Sequence, residues 1–209
     1  MPKGKVLNLS KYRVLEFLKK NLFSIIGFAF LTVGVILGLS LFDDFKIIPE
    51  YLNGYFSSYI GYRNSSGFFA VSFKSFLSSL YLFLIIYVFG TTIFGVVTVP
   101  ICVTLFGFFY GAAVAFLYSE YALKGVAFNA MIFLPSNLIL LLFIIFASRY
   151  AMIFSLDIAK LTLPNGISGD LSLQFKEYSL RILVLTLGGL LAALIDGLTS
   201  SGLLKFFEF

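Results

Sequence analysis

The stretch SFLSSLYLFLIIYVFGTTIFGVVTVPICVTLFGFFYGAAVAFLYS, Ser75 to Ser119, runs for 45 residues without a charge between Lys74 and Glu120. As one straight helix it would extend roughly 68 Å at 1.5 Å per residue. The hydrocarbon core of a bilayer is about 30 Å thick, so the stretch must fold back and cross twice. Proline lacks an N–H and disfavours helix in the residue before it. The reversal is therefore expected between Gly95 and Pro100, giving spans near 77–95 and 100–118.

The same criterion applies outward from this stretch. An uncharged run between Lys20 and Asp43 predicts a span near 22–42. It is longer than the 7–15-residue apolar region of a signal peptide and no small-x-small cleavage site follows, which favours a span over a cleaved leader. A third run begins at Gly125 and continues past Arg149 to Leu156, with Pro135 inside it. It is too long for one straight crossing. A kink, or a short segment ending near Leu134, is expected ahead of a span near 135–157. The last span, near 182–204, is interrupted only by Asp196. These add up to an all-α, polytopic transmembrane bundle of about five spans with a kinked or broken fourth helix.

Composition agrees. Sixty per cent of the 209 residues are hydrophobic and 12% charged, with 27 Phe, no Trp and no His; the mean hydropathy is +1.01. Soluble domains carry about 25% charged residues, so half the usual solvating surface is missing. With no histidine, the commonest metal ligand and proton shuttle is unavailable. Cys102 cannot form an internal disulfide and reads as a packing residue. There is no phosphate loop, nucleophile elbow, His-containing metal motif or paired-carboxylate arrangement, so no catalytic, cofactor-binding or metal-ligating set is expected.

Lys3, Lys5, Lys11, Arg13, Lys19 and Lys20 concentrate the net charge of +5 ahead of the first span. No basic patch recurs, which argues for a juxtamembrane anchor on anionic lipid rather than nucleic-acid binding. Adding Lys160, Lys176 and Arg181 puts nine basic residues on that side, against Lys46, Arg63, Lys74, Lys124 and Lys205 on the other. The positive-inside bias then makes residues 1–20 a cytoplasmic basic segment, 21–209 a transmembrane domain with an extracytoplasmic loop at 43–75, and the C-terminus extracytoplasmic.

In that loop the large apolar residues pair every four positions: Ile47/Ile48, Tyr51/Leu52, Tyr55/Phe56 and Tyr59/Ile60. The spacing makes an apolar stripe on one helical face. It suits an interfacial helix lying on the membrane, or a platform for another protein between Ile47 and Phe73 with Tyr51, Tyr55, Phe56 and Tyr59 as contacts. Small residues recur at four-residue spacing in Gly34/Gly38, Gly107/Gly111 with Ala115, and Gly189/Ala193. Such spacing lets helices approach closely in lipid. These seams suit packing within the chain better than between copies, although a homo-oligomer stays open.

Polar groups at membrane depth are Asn129, Asn137, Arg149 and Asp196. Each ionised one costs about 2.5–3.5 kcal/mol on insertion scales. Arg149 and Asp196 differ in depth by roughly 9 Å at 1.5 Å per residue, which does not favour a simple pair. A structural role is the simpler reading; a permease or channel subunit with its polar site near Arg149 and Asp196 is the alternative. Pro135 and Asn137 are expected to organise the broken helix, Asn137 helping to satisfy backbone groups that Pro135 frees.

The order of several motifs resembles the stage II sporulation protein M family: Gly90 to Gly95 (GTTIFG), Pro100, Gly107 to Gly111 (GFFYG) with Ala115 and Phe116, Leu134 to Ile139 (LPSNLI), Phe154 to Leu156 (FSL), and Tyr51 to Asn53 in the aromatic loop. The resemblance spans about Leu22 to Leu204. It implies a five-span, non-catalytic protein of the bacterial plasma membrane that acts during engulfment in endospore formers. It further implies a scaffold that recruits and localises extracytoplasmic cell-wall hydrolases at the septum. Its lasting contact would otherwise be the lipid bilayer.

Overall fold

The computed structural model describes residues 3–42, 44, 47–162 and 170–207, with side chains from residue 21 onward. The basic side chains of residues 1–20, Lys46, and the middle of the 158–181 loop (163–169) lie outside the described residues. The chain forms α1 (Lys3–Ser40), α2 (Ile47–Ser65), α3 (Phe68–Gly90), α4 (Gly95–Phe128), a π turn (Asn129–Phe133), α5 (Leu134–Leu161), α6 (Leu171–Leu203) and a 3-10 turn (Leu204–Phe206). Four helical stretches are long and apolar enough to cross a membrane, one of them the 67-residue Gly95–Leu161. That stretch turns back on itself at Ala122, so among the described residues the long apolar helices number about five.

The reversal at Ala122 is abrupt. Its φ of 45° and ψ of −124° interrupt α4, in a region that favours glycine. A Cβ built on Gly125 would strike the Leu117 carbonyl, so glycine lets the returning chain lie directly on the arriving helix. Asn129 Nδ2 donates to the Tyr118 hydroxyl at 3.0 Å across the same hairpin.

The first hairpin is displaced from its expected place. Reversal occurs over Thr91–Phe94, and Pro100 lies buried inside α4. The Thr91 and Thr92 hydroxyls donate to the Val88 and Phe89 carbonyls at 2.7 Å, closing α3. Ser155 of α5, fully buried, then clamps the turn. Its hydroxyl accepts from Val96 N at 3.0 Å and donates to the Thr92 carbonyl at 2.7 Å. Local hydroxyl chemistry and a tertiary cap thus stop the helix before the proline could. Pro100 removes a single hydrogen bond near the helix start, which a bundle tolerates.

The fourth crossing, expected to kink at Pro135 or to begin after a short segment ending near Leu134, is irregular at that point without an open break. Helix continues through to Leu161, and the irregularity is the π turn just before the proline, where Leu134 N donates to Asn129 O. The wider turn accommodates a residue with no N–H. Asn137 Nδ2 donates to the Phe133 carbonyl at 2.6 Å, not to the Met131 carbonyl that faces the proline nitrogen in a regular helix. Residues 68–75, expected in the loop, already belong to α3, and α6 starts well before residue 182. At 33 residues α6 is longer than the roughly 20 that a bilayer core needs.

α1 and α4 run parallel. A Cβ on Gly107 would sit 2.5 Å from the Leu31 carbonyl, and one on Gly111 would strike the Val35 carbonyl. Gly34 and Gly38 meet the Thr104 and Phe108 carbonyls in the same way, so the two backbones are in direct contact. α3 and α6 are antiparallel, with Gly189 against Ser79 and Phe83 and Gly197 against Ser72 and Phe68. Phe28, Ile36, Leu84, Leu187 and Leu198 are exposed around this core and meet lipid.

A left-handed alanine costs about 1–2 kcal/mol. Ala122→Gly is therefore expected to raise the thermal midpoint in detergent micelles, and Ala122→Val and Gly125→Ala to lower it. A continuous helix through residue 122 would show the opposite order for the Ala122 pair, since glycine weakens a helix interior.

Candidate functional site

α2 does not lie freely on the membrane. Its stripe enters the bundle: Leu52 and Phe56 are buried. The Phe56 ring stacks on Phe116 at 5.3 Å and packs against Phe133 at 6.1 Å. Phe42, Ala112, Leu117, Phe128, Ile132 and Leu204 complete this cluster. It gathers the end of α1, the Ala122 hairpin, the π turn and the chain's last turn beneath α2. One face of α2 is thus spent on the fold. On the other, Tyr51 and Tyr55 remain 65% and 46% exposed.

The same face carries Arg63, one turn beyond Tyr59. Its guanidinium donates to Asp196 Oδ2 of α6, which also accepts from Ser75 of α3. Arg63 Nε donates to Ser200 Oγ at 3.0 Å, and Nη2 to Ser75 Oγ at 3.3 Å. The Tyr59 ring covers the guanidinium, 3.3 Å from centroid to Cζ. The ion-paired side chains are 7% and 6% exposed. Breaking such a pair from one side leaves an uncompensated buried charge. Burial first, and the neighbouring Asp196 carboxylate next, push the Tyr59 phenol well above its ordinary pKa. It stays protonated across the physiological range, so no second negative charge enters the site. Burial raises Tyr55 as well, partly offset by Arg63.

Asp196 also lines an open-sided cavity of about 340 Å³ walled by α2, α3, α4, α5 and α6. Tyr55, Tyr59, Lys74, Ser75, Ser78, Asn137 and Ala193 share its wall, and Leu82, Phe106 and Leu140 form its apolar part. Gly189 lines it beside Ser79.

Arg149 stands elsewhere. Its Nη1 donates to Asn21 Oδ1 at 3.2 Å, level with the start of α1's apolar run, and Tyr150 packs close to both Arg149 and Arg181. The structure does not bring Arg149 and Asp196 together, and the cavity wall includes only the second. Pro135 follows the π turn without lining the cavity. Among the expected contact residues, Phe56 has no exposed surface and Tyr59 covers Arg63, while Tyr51 and Tyr55 stay exposed. Gly107 and Gly111 serve the α1–α4 contact.

The residue that sequence reading passed over is Arg63, counted there only as a loop charge. A signal for it existed: it continues the buried series Leu52, Phe56, Tyr59 at helical spacing. Ser155, the clamp of the first hairpin, carried no comparable mark.

Five apolar crossings, a docked aromatic helix and a charge pair buried among them define a polytopic α-helical membrane protein. The family model for stage II sporulation protein M matches residues 25–201, most of the chain, and the chain belongs to that family. Neither the curated proteins nor the solved structures contain a match.

Removing one partner of a buried pair costs about 3–5 kcal/mol, whereas replacing both with apolar groups is far less damaging. Arg63→Met and Asp196→Leu are each expected to unfold the α2 end, read as protease cleavage within 43–67. Arg63→Met with Asp196→Leu is expected to recover most of the protection. Additive losses in this double-mutant cycle would show that the two residues act independently.

Proposed function

We propose that this chain is a non-catalytic membrane scaffold that recruits and localises extracytoplasmic peptidoglycan hydrolases at the septal membrane during engulfment. Membership of the stage II sporulation protein M family supports a sporulation role in the membrane. The observation that carries the scaffold reading is the fixed presentation of α2: Phe56 and the Arg63–Asp196 pair lock it to the bundle while Tyr51 and Tyr55 stay outside. A helix held at two points loses little freedom when a partner lands on it, and exposed tyrosines supply large contact area at low entropic cost.

In this reading the N-terminus is cytoplasmic. α2, the Ala122 hairpin and the C-terminus then share the outer face, where cell-wall enzymes work. The lipid bilayer is the first partner and the hydrolases are the second. The glycine seams between α1 and α4 and between α3 and α6 are engaged within the chain, so a homo-oligomer would need another surface.

Tyr51→Ala with Tyr55→Ala is expected to leave folding and membrane insertion intact while cutting hydrolase co-purification at least about tenfold, since interface tyrosines are frequent hot spots. Phe56→Ala is expected to cost about 3–5 kcal/mol of stability, with partner loss only as a consequence. Full co-purification and septal localisation of the double tyrosine variant would remove α2 as the recruiting surface.

A further inference from the structure

The cavity beneath α2 has a chemistry that anchoring α2 does not require. Asp196 spends Oδ2 on Arg63 and Ser75, while Oδ1 is buried and accepts no hydrogen bond. An acceptor left without a donor at this depth carries its full desolvation cost. The serine hydroxyls nearby do not relieve it. Ser78 and Ser79 donate to the Lys74 and Phe76 carbonyls of their own helix, at 3.1 and 2.8 Å. Asn137 likewise commits its amide nitrogen to Phe133 O. The oxygens of these groups are left as acceptors, beside the Tyr55 and Tyr59 phenols, which stay protonated.

At the exposed rim of the same cavity stands Lys74. Its ammonium lies 3.8 Å from the Tyr62 ring centroid, and among the described residues no carboxylate pairs with it. One cavity therefore joins an unanswered carboxylate oxygen in its wall to an unanswered cation at its rim. A simple cation would satisfy the first and meet repulsion from Lys74 and Arg63. A simple anion would satisfy the second and leave Asp196 as it is. A molecule bearing both charges answers both.

We propose that this cavity binds a zwitterion, its primary ammonium donating to Asp196 Oδ1 and to the serine and Asn137 oxygens, its phosphate or carboxylate meeting Lys74. The apolar wall of Leu82, Phe106 and Leu140 accommodates the carbon portion. The shared chemistry is a primary ammonium a few bonds from an anion, whether on a phosphatidylethanolamine headgroup or on a free aminoalkyl phosphate. Tyr55 borders both this cavity and the partner-facing side of α2, whereas Lys74 takes no part in the scaffold reading, so Lys74→Gln tests the two separately.

The test is native mass spectrometry of the delipidated full chain in detergent, titrated with chain-matched phosphatidylethanolamine, phosphatidylcholine and phosphatidylglycerol, and separately with O-phosphoethanolamine. Phosphatidylcholine keeps both charges but has no N–H donor, and phosphatidylglycerol lacks the cation. Charge-assisted hydrogen bonds are roughly twice as strong as neutral ones, so phosphatidylethanolamine is expected to bind at least about tenfold tighter than either. Lys74→Gln, an exposed substitution, is expected to weaken it several-fold without loss of fold. Binding of O-phosphoethanolamine with the same Lys74 dependence, and no preference among the lipids, would assign the site to a free zwitterion. Equal binding of all three lipids without O-phosphoethanolamine binding, insensitivity to Lys74→Gln, or retention of no ligand at all would overturn the proposal and leave a cavity that holds water only.

Discussion

A guanidinium and a carboxylate withdrawn from water each carry a desolvation penalty of several kcal/mol, recovered only when they meet in good geometry with their other hydrogen-bonding groups answered. Arg63 and Asp196 meet these terms at every position but Asp196 Oδ1, with Ser75, Ser200 and the Tyr59 ring filling the others. Because the pair joins α2 to α6 through a residue of α3, three elements are held in register by one contact. A charged residue in a span can be tolerated by reaching toward water; Asp196 is too short for that and needs a partner delivered to it. The delivery is made by α2, and the aromatic cluster around Phe56 is what keeps α2 in place.

Two other constraints shape the bundle around this pair. Lipid removes most of the hydrophobic drive between helices, leaving packing and hydrogen bonds to hold them. The four glycines of the α1–α4 contact answer that by bringing backbone against backbone. Every reversal must also satisfy its own polar groups. Thr91, Thr92 and Ser155 do so at one end, and the Ala122 hairpin, with Gly125 beneath Leu117, closes the other.

Much of this architecture was legible in the residue order. The length of uncharged runs implies five crossings, and the four-residue spacing from Ile47 marks a helix with one apolar face. The turn positions were less legible. Pro100 and Pro135 are the strongest local punctuation, yet neither ends a helix. Pro100 sits where one missing hydrogen bond is tolerated, and the π turn ahead of Pro135 makes room for its ring. What stops the helices instead are hydroxyls whose role depends on a neighbour: Ser155 meets the Thr92 carbonyl from 63 residues away.

Hydropathy by itself determined that this chain lives in a bilayer and how often it crosses, because transfer into hydrocarbon is a local property summed along each helix. Family membership was likewise written in short motifs at fixed order. Tertiary structure alone decided which charges pair, where α2 lies and which aromatic side chains remain outside. Arg63 and Asp196 are 133 residues apart, and nothing in the sequence near either names the other. Depth along the helix axis already separates Arg149 and Asp196 by roughly 9 Å, and a helix also has an azimuth, which only packing sets. That choice turned a loop cation into the anchor of the bundle and left Asp196 with one oxygen to spare.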